Sequence, residues 1–131
     1  MIGLDTNVLL RYLVRDHPSQ LAAATRLIER RLTEDEPGFI SAVVIAEVAW
    51  VLRRSYRWNA SQVAAAIEKL FDADVLVVEH IGAAAEAVQR TRGGRGDFAD
   101  AFISAIAARA GCSTTVTFGR DALRLPGFSA V

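Results

Sequence analysis

Short apolar runs alternate with longer stretches of helical spacing along the whole chain, and this alternation constrains the fold more than any other feature. Met1–Leu4, Phe39-Ile40, Asp74–Val78 and Ser113–Phe118 read as strands, the last two rich in β-branched residues. Phe128–Val131 reads as an edge strand, after a short turn near Asp121–Leu123. Helices are expected over Asn7–Val14, over Ser19–Leu32 with Ser19 as its cap, and over Ala42–Tyr56 capped by Ser41. Further helices are expected over Ala60–Phe71, Gly82–Arg92 and Phe98–Ala110. Strands separated by helices require right-handed crossovers, which build a mainly parallel sheet covered on both faces. The expected class is therefore α/β, a three-layer α/β/α domain with its first strand central in the sheet.

A length of 131 residues suits one domain, 1–131, and 52% hydrophobic content is enough for a two-layer core. No uncharged run exceeds ten residues, a length reached at Trp58–Ile67, whereas a membrane span needs about 18 or more apolar residues. The N-terminus lacks a basic segment followed by an apolar stretch, and Cys112 has no second cysteine to pair with. Both features lead to the expectation of a cytoplasmic protein with no membrane association. Fifteen basic residues balance fifteen acidic ones, so the chain lacks the net-basic footprint of a protein that grips nucleic acid over its whole surface. Lys69 is the only lysine; the other basic residues are arginines, whose planar fork suits phosphate and carboxylate.

The acids stand in unusual company. Glu47 is the one carboxylate in the run from Ala42 to Leu52, a helix apolar enough that it should be largely buried. Asp100 lies among Phe98, Ala101, Phe102 and Ile103, and Asp97 precedes it by one helical turn near the helix N-terminus, where the macrodipole favours negative charge. Asp5 directly follows the first strand, at the strand ends where ligands sit in open α/β sheets. Each acid alone has a structural explanation. Asp5 and Asp97 could cap helices, and Glu47 could pair with an arginine. Taken together, all need compensation, and one hard divalent cation would serve them all. Oxygen-only ligation points to Mg²⁺ or Mn²⁺ over Zn²⁺, since His17, His80 and Cys112 have no partners at ligand spacing.

Met1-Ile2-Gly3-Leu4-Asp5-Thr6-Asn7 resembles the opening of PIN-domain nucleases, in which an apolar strand ends in Asp-Thr-Asn. Ile40-Ser41 with Ala46-Glu47, then Asp97-Phe98-Ala99-Asp100-Ala101, then Thr115-Val116-Thr117-Phe118 with Leu125-Pro126-Gly127 resemble the later segments of that family in order and spacing. Its length and lack of added domains resemble the VapC-type toxins of bacterial toxin–antitoxin pairs. This resemblance implies a Mg²⁺- or Mn²⁺-dependent endoribonuclease that leaves 5′-phosphate and 3′-hydroxyl ends. It implies Asp5, Glu47 and Asp100 as catalytic metal-site acids, with Asp97 as an additional acid. Thr6, Asn7 and Thr117 would support the site from strand ends. Implied partners are an RNA substrate, a cognate antitoxin protein and a second copy of the chain. The apolar surfaces of Ser19–Leu32 and Ala60–Phe71 would be the dimer and antitoxin faces.

The sequence departs from the family pattern at one point. An Asp or Asn usually stands two residues after the Thr of the last strand, and here that place is Gly119; Asp121 lies two residues further on. Either Asp121 reaches the site through a loop or the fourth acid is missing; the non-enzyme alternative, for which Gly119 is the best argument, is a degenerate domain that binds partners without cleaving. Arg90, Arg92 and Arg95 flank Gly93-Gly94 just before Asp97, either as a solvated loop or as a guide for the RNA backbone, with Arg92 and Arg95 the nearer candidates. Arg53 and Arg54, at the end of the Glu47 helix, could instead bind the substrate or an antitoxin tail. Other acidic α/β sites fit less well: a haloacid-dehalogenase phosphatase needs an acid where Asn7 stands, and a phospho-receiver needs a late lysine.

Overall fold

A computed structural model describes residues 1–131. Three short apolar segments form a parallel ladder in the order β1 (Ile2–Gly3), β2 (Gly38–Ile40), β3 (Leu76–Val78), with Ile2 opposite Gly38 and Gly38 opposite Leu76. A second parallel pair joins β4 (Thr115–Thr117) to β5 (Phe128–Ala130). Between them run α1 (Thr6–Val14), α2 (Pro18–Arg26), α3 (Ala42–Arg54), α4 (Ala60–Phe71), α5 (Ile81–Thr91) and α6 (Phe98–Arg109). This is the α/β/α arrangement that the alternation requires, with every strand pairing parallel.

The first strand is not central. β1 bonds only to β2, through Ile2 N–H to Pro37 (2.8 Å) and Leu4 N–H to Phe39 (2.9 Å), and β2 takes the central place. With two residues in the ladder before Asp5 opens α1, β1 forms no ladder with β4, and the strands remain as two separate sets.

The second helix also begins differently from expectation. His17, not Ser19, is its cap: the His17 Nδ1 accepts from Gln20 N–H at 3.3 Å, and Pro18 fills the first helical position, where its missing N–H costs nothing. Its last turn, Leu27–Arg31, widens to a π-helix closed by Leu32 N–H to Leu27 (3.0 Å), which keeps Ile28 and Leu32 both in the core.

Helix α3 is amphipathic rather than buried throughout. Ile45, Val48, Ala49 and Leu52 are buried, while Val43, Glu47 and Trp50 recur along the exposed face, where the Arg54 guanidinium lies 5.4 Å over the Trp50 ring. The carboxylate of Glu47 is therefore not a desolvated charge. The sequence has more apolar residues on α3 than the core has places for. In α4 the reverse holds: Val63, Ala64, Ile67 and Leu70 all face the core, so its apolar stripe is not free as a docking face. On α2 only Ala24 is fully buried, with Leu21 half-buried.

Helix α6 is apolar on nearly every side and buries Phe98, Ala101, Phe102 and Ala105, with the Phe98 and Phe102 rings 5.6 Å apart. It also anchors the C-terminal segment. Buried Ser104 donates its hydroxyl to the Pro126 carbonyl (3.2 Å), and Gly127, at φ +90°, lies so close that an added Cβ would collide with the Ser104 Oγ. A Cβ at Gly96, at φ +73°, would lie 2.6 Å from Leu125 Cδ2. The loop before α6 and the turn before β5 are thus seated on one another. Gly127→Ala combines an overlap with a disfavoured φ and is expected to cost about 1–3 kcal/mol of folding stability by chemical denaturation. A loss below about 0.5 kcal/mol would show that the tail relaxes freely away from α6.

Candidate active site

Asp5 leaves β1 in an extended conformation and turns the chain into α1, its Oδ1 accepting from Val8 N–H at 3.1 Å. The next residue, Thr6, is buried and donates its hydroxyl to Glu47 Oε1. One side chain thus ties the carboxylate of α3 to the residue beside Asp5. Asp5 and the exposed Asn7 open into a groove of about 360 Å³ between α1 and α2, whose walls include Val8, Arg11 and Gln20.

A second set of acids surrounds the head of α6. Asp97 Oδ1 accepts from Ala99 N–H (2.8 Å) and Asp100 N–H (3.3 Å), a cap that fixes the turn presenting Asp100. Asp100 is only partly exposed, and its carboxyl is pushed above its ordinary value, first by burial and then by the charges of Asp97 and Asp121. These three acids line a cavity of about 770 Å³ together with Arg53, Arg95 and Arg124. Thr117 does not approach them by any hydrogen bond. Its hydroxyl accepts from Gly119 N–H at 2.9 Å and shapes the turn that leads to Asp121. At Gly119 itself an added Cβ would stand 3.3 Å from Thr117 Oγ1 and 3.7 Å from Ala122 Cβ, so a side chain fits after a small shift.

The acids named from sequence therefore meet as two neighbourhoods: Asp5 with Glu47 across Thr6, and Asp97 with Asp100 and Asp121. No three of them close on a shared coordination point as the side chains stand. Asp5, Glu47, Asp97 and Asp121 are engaged locally instead, by a helix N-terminus, by the Thr6 hydroxyl, or by an arginine, whereas the Asp100 carboxylate has no such partner. The donor chemistry nevertheless suits a hard divalent cation. All the donors are oxygens, no histidine or cysteine lines either cavity, and the Asp100 carboxyl, raised first by burial and then by the charges of Asp97 and Asp121, is one whose charge a cation would offset.

The loop arginines separate into engaged and free. Arg92 is paired with Glu68, and Arg90 reaches Glu86 (3.5 Å) and the Pro126 carbonyl (3.4 Å). Of the three, only Arg95 lines the large cavity, and it makes no ion pair. Sequence reasoning missed Arg124, whose turn carries no helical or strand signal. It also missed Glu79, whose Oε1 accepts from Ala42 N–H at 2.8 Å and caps α3 from the end of β3. Its signal was available: like Asp5, it is an acid immediately following a parallel strand.

Comparison with known proteins gives two findings. The family model described as PIN domain matches residues 2–127. A protein of Aquifex aeolicus (strain VF5) described as a VapC ribonuclease is 27% identical over 128 residues, covering 98% of this chain and 93% of that protein.

A carboxyl whose pKa is raised in the folded state favours the fold below its unfolded pKa and loses that contribution as pH rises through the folded value. Asp100→Asn removes a charge that the fold disfavours at neutral pH. In EDTA the variant is expected to melt about 1–3 °C higher than the parent at neutral pH, with the gain vanishing below the carboxylate range. A lower melting temperature at neutral pH would mean that the Asp100 charge is stabilising and that the acids around it are not crowded.

Proposed function

The chain belongs to the PIN-domain family, and from that premise we propose that it is a Mg²⁺- or Mn²⁺-dependent endoribonuclease, the toxin of a toxin–antitoxin pair. The observation that carries this reading is the convergence of Asp97, Asp100 and Asp121 on one open cavity, with the Asp100 carboxyl raised first by burial and then by the charges of the other two. The relative described as a VapC ribonuclease supports the same activity.

In this reading Asp5, Glu47 and Asp100 would hold the cation, which would have to draw together two neighbourhoods that stand apart as the side chains are placed, with Asp97 and Asp121 as further acids. A bound Mg²⁺ or Mn²⁺ supplies Lewis acidity, lowering the pKa of an attacking water and screening charge at the scissile phosphate. The chain's own residues prepare the place. Thr6 orients Glu47, Asp97 fixes the first turn of α6 so that Asp100 faces the cavity, and Asp121 adds the carboxylate that Gly119 does not. Asn7 stands beside Asp5 at the groove mouth as a neutral donor and acceptor. A second reading, a PIN domain that binds partners without cleaving, draws on Gly119; the placement of Asp121 on the same cavity as Asp97 and Asp100 weighs against it.

Partners follow from the same reading: an RNA substrate, a cognate antitoxin and a second copy of this chain. Val43 and Trp50 on α3, Val116 on β4 and Phe118 just after it are among the exposed apolar side chains available for such contacts. No helix is long and apolar enough to cross a membrane.

Asp5→Asn, Glu47→Gln and Asp100→Asn are each expected to slow RNA cleavage about 100-fold or more, and EDTA to abolish it. Asp121→Asn should slow it about tenfold, with Gly119→Asp added to that variant restoring the rate. If the wild-type chain cleaves no RNA and shows no Mg²⁺ or Mn²⁺ binding by calorimetry, the non-cleaving reading is correct. Sedimentation velocity at high micromolar concentration should give a dimer; a monomer there refutes the self-association.

A further inference from the structure

Three arginines from three separate segments surround the carboxylates of the large cavity: Arg53 at the end of α3, Arg95 in the loop before α6, and Arg124 in the short 3₁₀ turn Ala122–Arg124. Two of them already face acids. Arg53 Nε is 4.0 Å from Asp97 Oδ2, and Arg124 Nη1 is 3.9 Å from Asp121 Oδ1. Both separations exceed direct hydrogen-bond length, so charge is balanced while N–H groups of both guanidinium groups stay available, those of Arg53 apart from the one on Nη1 that meets the Trp58 carbonyl. Arg53 is also held in place, since its Nη1 donates to the Trp58 carbonyl at 3.2 Å. Arg92 differs: it is committed to Glu68 and lies outside the cavity lining.

We propose that Arg53 and Arg124, together with Arg95, are the phosphate-binding residues of this cavity and seat the RNA backbone over the carboxylates. The proposal rests on the nuclease reading and assigns its substrate contacts. On arrival of the backbone, Arg53 and Arg124 turn N–H groups that do not hydrogen-bond Asp97 or Asp121 toward phosphate oxygens, while Asp97 Oδ1 keeps its cap on α6. RNA fits this pattern of charge better than an acidic peptide does. Its phosphates meet the arginine rim, and its ribose hydroxyls offer donors to carboxylates that can only accept. None of the residues lining the cavity is aromatic, so its contacts to the backbone come from the arginines and not from aromatic stacking.

The test measures binding apart from cleavage. In an Asp100→Asn background with Mg²⁺, fluorescence anisotropy of a labelled single-stranded RNA is followed over a salt series, while cleavage is assayed separately in the wild-type background. Arg53→Ala and Arg124→Ala are each expected to weaken RNA binding roughly three- to tenfold and to lower the log–log salt slope by about 0.7. Arg31→Ala, an exposed arginine outside this cavity, should change neither. If the wild-type chain cleaves RNA but both cavity variants bind with the affinity and slope of their parent, this assignment is wrong and the nuclease reading stands. Binding without cleavage, lost on removal of these arginines, upholds the assignment and removes the nuclease reading. Equal competition by poly-glutamate, with the same arginine dependence, would show a generic polyanion site and overturn the assignment to RNA; a chain that neither binds nor cleaves RNA overturns both.

Discussion

Burying α6 is the constraint on which the rest of the molecule depends. Its residues Phe98, Ala101, Phe102 and Ala105 are almost wholly enclosed, so the few polar groups it carries must be met at fixed places. Asp97 satisfies the first N–H groups of the helix and fixes the direction in which Asp100 leaves it. Ser104 binds the Pro126 carbonyl and draws the C-terminal segment onto the same helix, with Gly127 allowing the approach. A single packed element therefore sets the position of the segment that carries Asp121 as well as that of Asp100. The site is built at the N-terminal end of the helix, while Phe98, Ala101, Phe102 and Ala105 give one side of it to the core and Ile103 lies exposed on the other.

The second organising feature is electrostatic. A chain with fifteen basic and fifteen acidic residues has no net charge at neutral pH, yet the two signs are sorted in space. Asp97, Asp100 and Asp121 share one cavity closely enough that burial and mutual repulsion raise the Asp100 carboxyl, and Arg53, Arg95 and Arg124 stand around them. Other arginines are drawn off into pairs elsewhere, Arg92 with Glu68 and Arg109 with Glu86. Exposed pairs of this kind add little stability. Their consequence is to decide which cations remain free to meet a ligand.

Much of this was legible in the sequence, because the signals involved are short-range. Helix α4 spans Ala60–Phe71 as its periodicity indicates, and Ser41 and Asn59 cap their helices through contacts three residues away. The cap at Asp97 and the placement of Asp5 at a strand end are equally local. Errors arose where a local signal had to stand for a packing outcome. The apolar run around Glu47 suggested burial, but α3 presents one face to the core and leaves Val43, Glu47 and Trp50 outside. Ser19 looked like a cap, but Pro18 is the better first helical residue and hands that role to His17.

The sequence by itself thus determined the α/β class, the order of the elements and the acids at their ends, since periodicity, caps and strand termini act between near neighbours in the chain. Only the tertiary structure decided that β1 lies at a ladder edge, that Thr6 holds Glu47, that Asp121 reaches the neighbourhood of Asp100, and that Arg53, Arg95 and Arg124 rather than Arg92 surround it. Those facts depend on pairs of residues far apart in sequence. Their distance is fixed by how the helices fill the core, and no local pattern of residues encodes that.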